Sequence, residues 1–277
     1  MFFSFQYGSR QRINARSPEI LGPEPRALAW ALVLIFGAIP SALAEAPPSV
    51  PAGTQTAPVL IVGFMGGFVH ANDFRHSEAQ IAGRLAKTYG DRVQVQVFEN
   101  RQRAKAYQWI LDRLGAPQNA SAVTEDQSKA RIFLFGHSWG ASAAVYLARQ
   151  LERDRVPVSL TVQVDSISKN GRDDSVIPAN VAEAMNFYQT RGFLHGRPAI
   201  TAADPLRTKI LGNVRLTYEK APPECRAYPW YDRLLFKGHT AIECDPRVWS
   251  EVERLIELRL PGLRQSAPNL LATGVTP

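Results

Sequence analysis

The chain has 277 residues, 45% of them hydrophobic and 21% charged, which suits one sizeable globular core and leaves no room for two large domains. The formal net charge is +7, but Lys and Arg are scattered among Asp and Glu and no run of five or six like charges occurs. That distribution argues against a nucleic-acid partner and reads as a solvated surface.

The first 44 residues read as a signal peptide. Arg10, Arg12, Arg16 and Arg26 precede an apolar run over 27–39, Pro40 ends the run, and Ser41-Ala42-Leu43-Ala44 supplies an A-x-A cleavage site. The expected location is periplasmic or secreted. The alternative is an uncleaved anchor through residues 27–39, although that run falls short of the roughly twenty residues of a comfortable membrane span. The stretch before the apolar run is long for a signal, so a misassigned start codon is a further alternative. No Cys stands at the cleavage site, so nothing indicates a lipid anchor. Residues 45–57 are rich in Pro, Ala, Ser and Thr and read as a linker; the folded domain is expected over 58–262, with a flexible tail over 263–277.

In the domain, Pro58-Val-Leu-Ile-Val62 is a continuous apolar run ending at Gly63, the pattern of a strand buried on both faces. Ser77-Glu-Ala-Gln80 has the form of a capping box and predicts a helix to about Tyr89. Val93, Val95 and Val97 alternate with glutamines, a strand period. Residues 104–114 carry Trp109, Ile110 and Leu114 at helical spacing. Ile132-Phe-Leu-Phe135 is a second apolar strand, a small-residue helix follows from Ala141 to about Glu152, and 158–164 is a strand ending at Asp165. This alternation predicts an α/β fold: a mostly parallel sheet with helices on both faces. Residues 166–212 are less regular and are expected to form a lid-like insert with one helix near 180–188. Beyond it, 214–219 predicts a strand, 234–236 a last strand, and 246–258 a closing amphipathic helix.

Gly136-His137-Ser138-Trp139-Gly140 is G-x-S-x-G between a buried strand and a small-residue helix, the setting of a nucleophile elbow. A serine hydroxyl needs a base to take its proton. Of the five histidines, at 70, 76, 137, 195 and 239, His239 follows the turn Lys237-Gly238, lies just beyond the expected last strand and precedes the closing helix, which makes it the candidate base. The acid stays open among Asp165, Glu219 and Asp232, with Asp165 leading because an apolar strand delivers it to the carboxyl edge of the sheet. Backbone N–H groups for an oxyanion are expected from Trp139 and from the glycine-rich loop Gly63-Phe-Met-Gly-Gly67, at Phe64 or Met65. That loop lacks the G-x-x-x-x-G-K-[ST] of a phosphate site, and His239, Glu243, Cys244 and Asp245 show no metal-ligand spacing, so neither cofactor nor metal is expected. Phe187, Tyr188, Phe193 and Leu194 are candidates to line an acyl pocket. Cys225 and Cys244 are the only cysteines, and an even count in an exported chain predicts a disulfide whose loop contains His239.

On the glycine loop after the first strand, the elbow, the strand into Asp165-Ser166, and His239 before its helix, residues 59–258 resemble bacterial α/β-hydrolases of the lipase, esterase and thioesterase kind. Placing the acid at Asp165 resembles the pancreatic-lipase arrangement. Ile177-Pro-Ala-Asn-Val181 and Asn186-Phe-Tyr-Gln189 are similar to segments of exported members. The chain departs from the general pattern in lacking room for the first two strands of an eight-stranded sheet, and in having no Gly-x-x-Asp loop after the later strand. The resemblance implies ester or thioester hydrolysis through a Ser138 acyl-enzyme on a small-molecule or lipid-like acyl substrate. The membrane would be a partner only through an uncleaved N-terminal segment. Acyl transfer to an alcohol, and a non-catalytic binding protein on the same fold, are the alternatives.

Overall fold

The computed structural model describes residues 57–115, 124, 127, 129–169 and 171–260. The expected signal segment, nearly all of the linker and the C-terminal tail lie outside the described residues. Among the described residues, no helix is long and apolar enough to cross a membrane.

The strands are β1 (Val59–Met65), β2 (Gln94–Glu99), β3 (Arg131–His137), β4 (Val158–Val164), β5 (Val176–Ile177), β6 (Val181–Tyr188), β7 (Thr201–Ala202) and β8 (Lys209–Arg215). The helices are α1 (Ser77–Tyr89), α2 (Arg103–Leu114), α3 (Trp139–Arg153), α4 (Trp230–Leu235), α5 (Lys237–Glu243) and α6 (Pro246–Glu257). Six strands form one sheet in the order β2-β1-β3-β4-β6-β8, every neighbouring pair parallel, while β5 and β7 form a small separate ladder.

Alternation along the strands splits the core into two layers. Leu60, Val62, Phe64, Ile132 and Leu134 face α2 and α3, packing on Ile110, Leu147 and Leu151. Val59, Ile61, Phe133 and Phe135 face the other way, toward α1 and α6, against Ile81, Leu85, Trp249 and Val252. A Cβ at Gly63 would meet the Phe135 ring at 2.7 Å, so only glycine lets that ring lie across β1. β1 therefore continues through Gly63 to Met65 instead of stopping there.

Five local expectations are corrected. The helix expected near 180–188 is β6: Ala182, Glu183, Ala184 and Met185 favour a helix intrinsically, yet the segment is held between β4 and β8, with Ala184 in one core layer and Met185 and Phe187 in the other. As a result, 166–212 is no lid-like insert; it carries β6 and most of β8, two strands of the main sheet. The next strand is Lys209–Arg215 where 214–219 was expected, and 234–236 belongs to the end of α4 and the turn after it. Three apolar residues are too few to separate the two periods. The capping box at Ser77 does not form. His76 is the N-cap of α1, the Ser77 hydroxyl donates to the Glu243 carbonyl at 2.9 Å, and the Gln80 amide donates to Phe74 O.

Candidate active site

The turn from β3 into α3 places Ser138 at φ 56° and ψ −125°, a conformation a non-glycine residue holds only when its surroundings over-determine it. Those surroundings are specific. A Cβ at Gly136 would come within 2.6 Å of the Gly140 carbonyl carbon, and one at Gly140 would collide with the Phe64 carbonyl. The Ser138 N–H donates to Val164 O at 3.0 Å, and Asp165 N donates to Phe187 O at 2.7 Å. The Ser138 turn is thereby bonded to β4, and the Asp165 turn to β6.

Asp165 follows the last residue of β4, is fully buried, and itself has positive φ, 46°. Four donors surround its carboxylate. Oδ1 accepts from Gly196 N at 2.6 Å and Gln189 N at 3.2 Å; Oδ2 accepts from the Gln189 side-chain amide at 2.8 Å and from His239 Nδ1 at 2.6 Å. Burial pushes this carboxyl upward, but the His239 hydrogen bond and charge, with the Gln189 donor, outweigh it and hold the group below its ordinary value. Glu219 lies beyond the end of β8, exposed, and Asp232 lies on α4 with burial raising its carboxyl. Of the three candidate acids, Asp165 is the one hydrogen-bonded to His239.

His239 sits in the first turn of α5, 6% exposed. The bend into that helix needs glycine: a Cβ at Gly238 would meet Arg191 O at 2.6 Å and drive into the Gln189 side chain that supports Asp165. The His137 ring lies 4.4 Å from that of His239, centroid to centroid, and burial pushes it down to about 4, so a neutral ring backs His239. Ser138, His137 and His239 line one cavity of about 460 Å³ with Gly66, Gly67 and Phe68. A larger cleft, about 750 Å³, opens at the opposite, amino edge of the sheet near Arg131 and Val158, and carries none of these residues.

Phe64 and Met65 do not reach the cavity; both are wholly buried inside β1. The loop that does reach it is Gly66–Gly67–Phe68, because β1 runs two residues beyond Gly63. Asn100 pins this loop by donating to Met65 O at 3.2 Å and Gly67 O at 2.5 Å, and Phe68 packs edge-on against Trp139 at 5.3 Å. Of the residues expected to line an acyl pocket, Leu194 lines this cavity, Phe187 lies in the core, and Phe193 is exposed beside Phe236. Gly196 carries no motif, His137 fills a free position of the elbow motif, and Gln189 closes the segment Asn186-Phe-Tyr-Gln189 without any residue pattern that marks it as a partner of Asp165. Gln189 stands immediately after β6, in register to reach the end of β4, and that signal exists only once 181–188 is known to be a strand.

Cys225 and Cys244 are disulfide-bonded with Cα atoms 5.1 Å apart, tying the 3₁₀ turn Pro223–Ala227 to the end of α5. Removing the bond in a Cys225→Ala/Cys244→Ala variant is expected to destabilise the protein by about 3 kcal/mol on loop-closure grounds. The measurement is urea unfolding beside thiol titration of the denatured, unreduced wild type; two titratable thiols per chain would refute the bond.

The strand order, the serine elbow after β3 and the histidine after the last strand define an α/β-hydrolase fold. No protein-family model matches the chain, and no curated protein matches it. Among solved structures, it is similar to a thermostable esterase from Pseudomonas putida at 11% identity and TM-score 0.38, covering 76% of this chain and 77% of that one. It is also similar to RedJ, the thioesterase from the prodiginine biosynthetic pathway in Streptomyces coelicolor, at 15% identity and TM-score 0.34, covering 73% and 97%. A third is a dienelactone hydrolase-like promiscuous phosphotriesterase from metagenomic libraries, at 16% identity and TM-score 0.34, covering 75% and 89%. The fold assignment rests on the topology and the elbow.

Proposed function

We propose that the chain is a serine hydrolase that cleaves a small carboxylic ester or thioester through a Ser138 acyl-enzyme. One observation carries this reading: a serine on a strained elbow shares a cavity with a histidine whose Nδ1 is bonded at 2.6 Å to a buried, fully satisfied aspartate. With Nδ1–H donated to Asp165, the His239 tautomer leaves Nε2 free of its proton, the state a general base requires. His239 takes the Ser138 proton as Oγ bonds to the acyl carbon. It then returns that proton to the departing alcohol or thiol as the tetrahedral intermediate collapses. Water repeats the sequence to release the acid.

The oxyanion is held by the N–H of Trp139, the first residue of α3, where the helix field also favours negative charge. The second donor is the N–H of Gly67 or Phe68, since the loop there borders the cavity and a Cβ at Gly66 would stand 3.3 Å from Ser138 Cβ. A cavity of about 460 Å³ with Phe68, Val69, Leu194 and Phe236 in its wall suits an acyl group of modest size. The disulfide is compatible with the oxidising compartment to which a signal peptide would deliver the chain.

A fluorophosphonate probe is the direct test. It is expected to label the native protein once, on the peptide containing Ser138. A folded protein that resists the probe would sink the reading.

A further inference from the structure

Behind His239 lies a polar cluster that the proposed reaction does not use. Among the described residues, His76, Glu78 and Glu243 are the group whose ligand atoms, one nitrogen and two carboxylate oxygens, all lie within 4.8 Å of one another, and all three residues are buried. His76 is bonded to Glu243 at 2.5 Å. Glu78 has no exposed surface, and neither of its oxygens has a hydrogen-bond partner; only the weaker pull of the Gly66 and Glu78 backbone N–H groups reaches them. Tyr228 packs edge-on to His76 at 4.7 Å, with its buried hydroxyl beside Ser77. An acidic side chain stripped of water and left unbonded is unfavourable in a protein interior, so the Glu78 oxygens, 0% exposed and beside the Glu243 carboxylate, call for a partner.

We propose that His76, Glu78 and Glu243 bind a divalent transition-metal ion of the zinc class. An imidazole with two carboxylates is a borderline nitrogen–oxygen donor set, which suits zinc or its neighbours better than calcium, a cation that prefers oxygen alone. Thiolate chemistry is not on offer, because both cysteines are tied up in the disulfide. An entry path exists, since His76 and Glu243 line the cavity that opens at Ser138, and water from that side can complete the coordination. The ion would join the start of α1 to the last residue of α5. Glu243 is one turn from His239 on that helix, and its other oxygen lies 3.4 Å from Nδ1 of His137, whose ring packs at a tilt against that of His239. The site is therefore a brace for the histidine, outside the bond-making steps.

The test uses the full chain, stripped of metal with a chelator and then titrated with zinc against a chromophoric competitor. One equivalent is expected to bind and to raise Tm. X-ray absorption of the zinc-loaded protein is expected to show a nitrogen–oxygen shell containing one imidazole and no sulfur. Glu78→Gln keeps the side-chain shape and is expected to bind zinc at least about tenfold more weakly, without the rise in Tm. Failure of the wild type to bind zinc would overturn the proposal. So would equal binding by wild type and Glu78→Gln, or a shell with several imidazoles, which belongs to surface histidines. Should Glu78→Gln not fold, the wild-type titration and its absorption spectrum decide alone. None of these readouts depends on ester turnover, so the site stands or falls apart from the proposed reaction.

Discussion

Replacing Ser138 with alanine is expected to lower kcat for a p-nitrophenyl ester by on the order of 10⁴ to 10⁶, with Tm nearly unchanged. The two halves of that result have separate causes. The turnover loss follows because no other hydroxyl stands on the elbow to carry the acyl group, and neither His239 nor the oxyanion donors can form the acyl-enzyme without it. Stability is spared because the strained backbone at φ 56° is imposed by the packing of Gly136 and Gly140, which alanine at 138 leaves in place. Undiminished turnover by the purified, folded variant would end the serine-hydrolase reading. A variant that fails to fold would show instead that the hydroxyl is structural.

Asp165→Asn is the second large effect, expected to lower kcat/KM by about 10³ to 10⁴ while Glu219→Gln stays near wild type. The hydrogen bonds around Asp165 dictate the outcome. Gly196 N and Gln189 N both donate toward Oδ1, so the asparagine oxygen must take that side. Its amide nitrogen then faces the Gln189 amide and His239 Nδ1, donor against donor. Relief requires His239 to move its proton to Nε2, which removes the lone pair that accepts the Ser138 proton. The mismatch in a buried position also costs stability, about 1 to 3 kcal/mol. Glu219 is exposed beyond β8, and its amide disturbs nothing. Paired kinetics and melting of the two variants check this, and a crippled Glu219→Gln would move the acid to the later strand.

Much of the architecture is written in short stretches. The helix over 77–89 and the strand over 158–164 are read correctly because a local apolar period suffices to name them. The elbow at 136–140 is equally local: glycines two residues either side of a serine, between a buried strand and a small-residue helix. The errors cluster where local preference and tertiary placement disagree. Ala182 to Met185 prefer a helix, but the slot between β4 and β8 makes them a strand, and everything inferred about 166–212 moves with that one reassignment. The loop that borders the cavity is Gly66–Phe68 and not Phe64 and Met65 for a related reason, since pairing with β2 and β3 carries β1 past Gly63.

What the amino-acid sequence determines by itself is the set of local commitments: where the chain must turn, which runs are buried on both faces, and that a serine, a histidine and an aspartate arrive in that fold's terms at usable places. What only the tertiary structure decides is company. That His239 meets Asp165 across 74 positions, that Gln189 and Gly196 fill the rest of its carboxylate, and that Glu243 comes to lie against His76 across 167 positions are consequences of which strands neighbour which. Period and turn chemistry act over a few residues, whereas these contacts depend on loop closure and on packing of two core layers around one sheet. No local pattern encodes them.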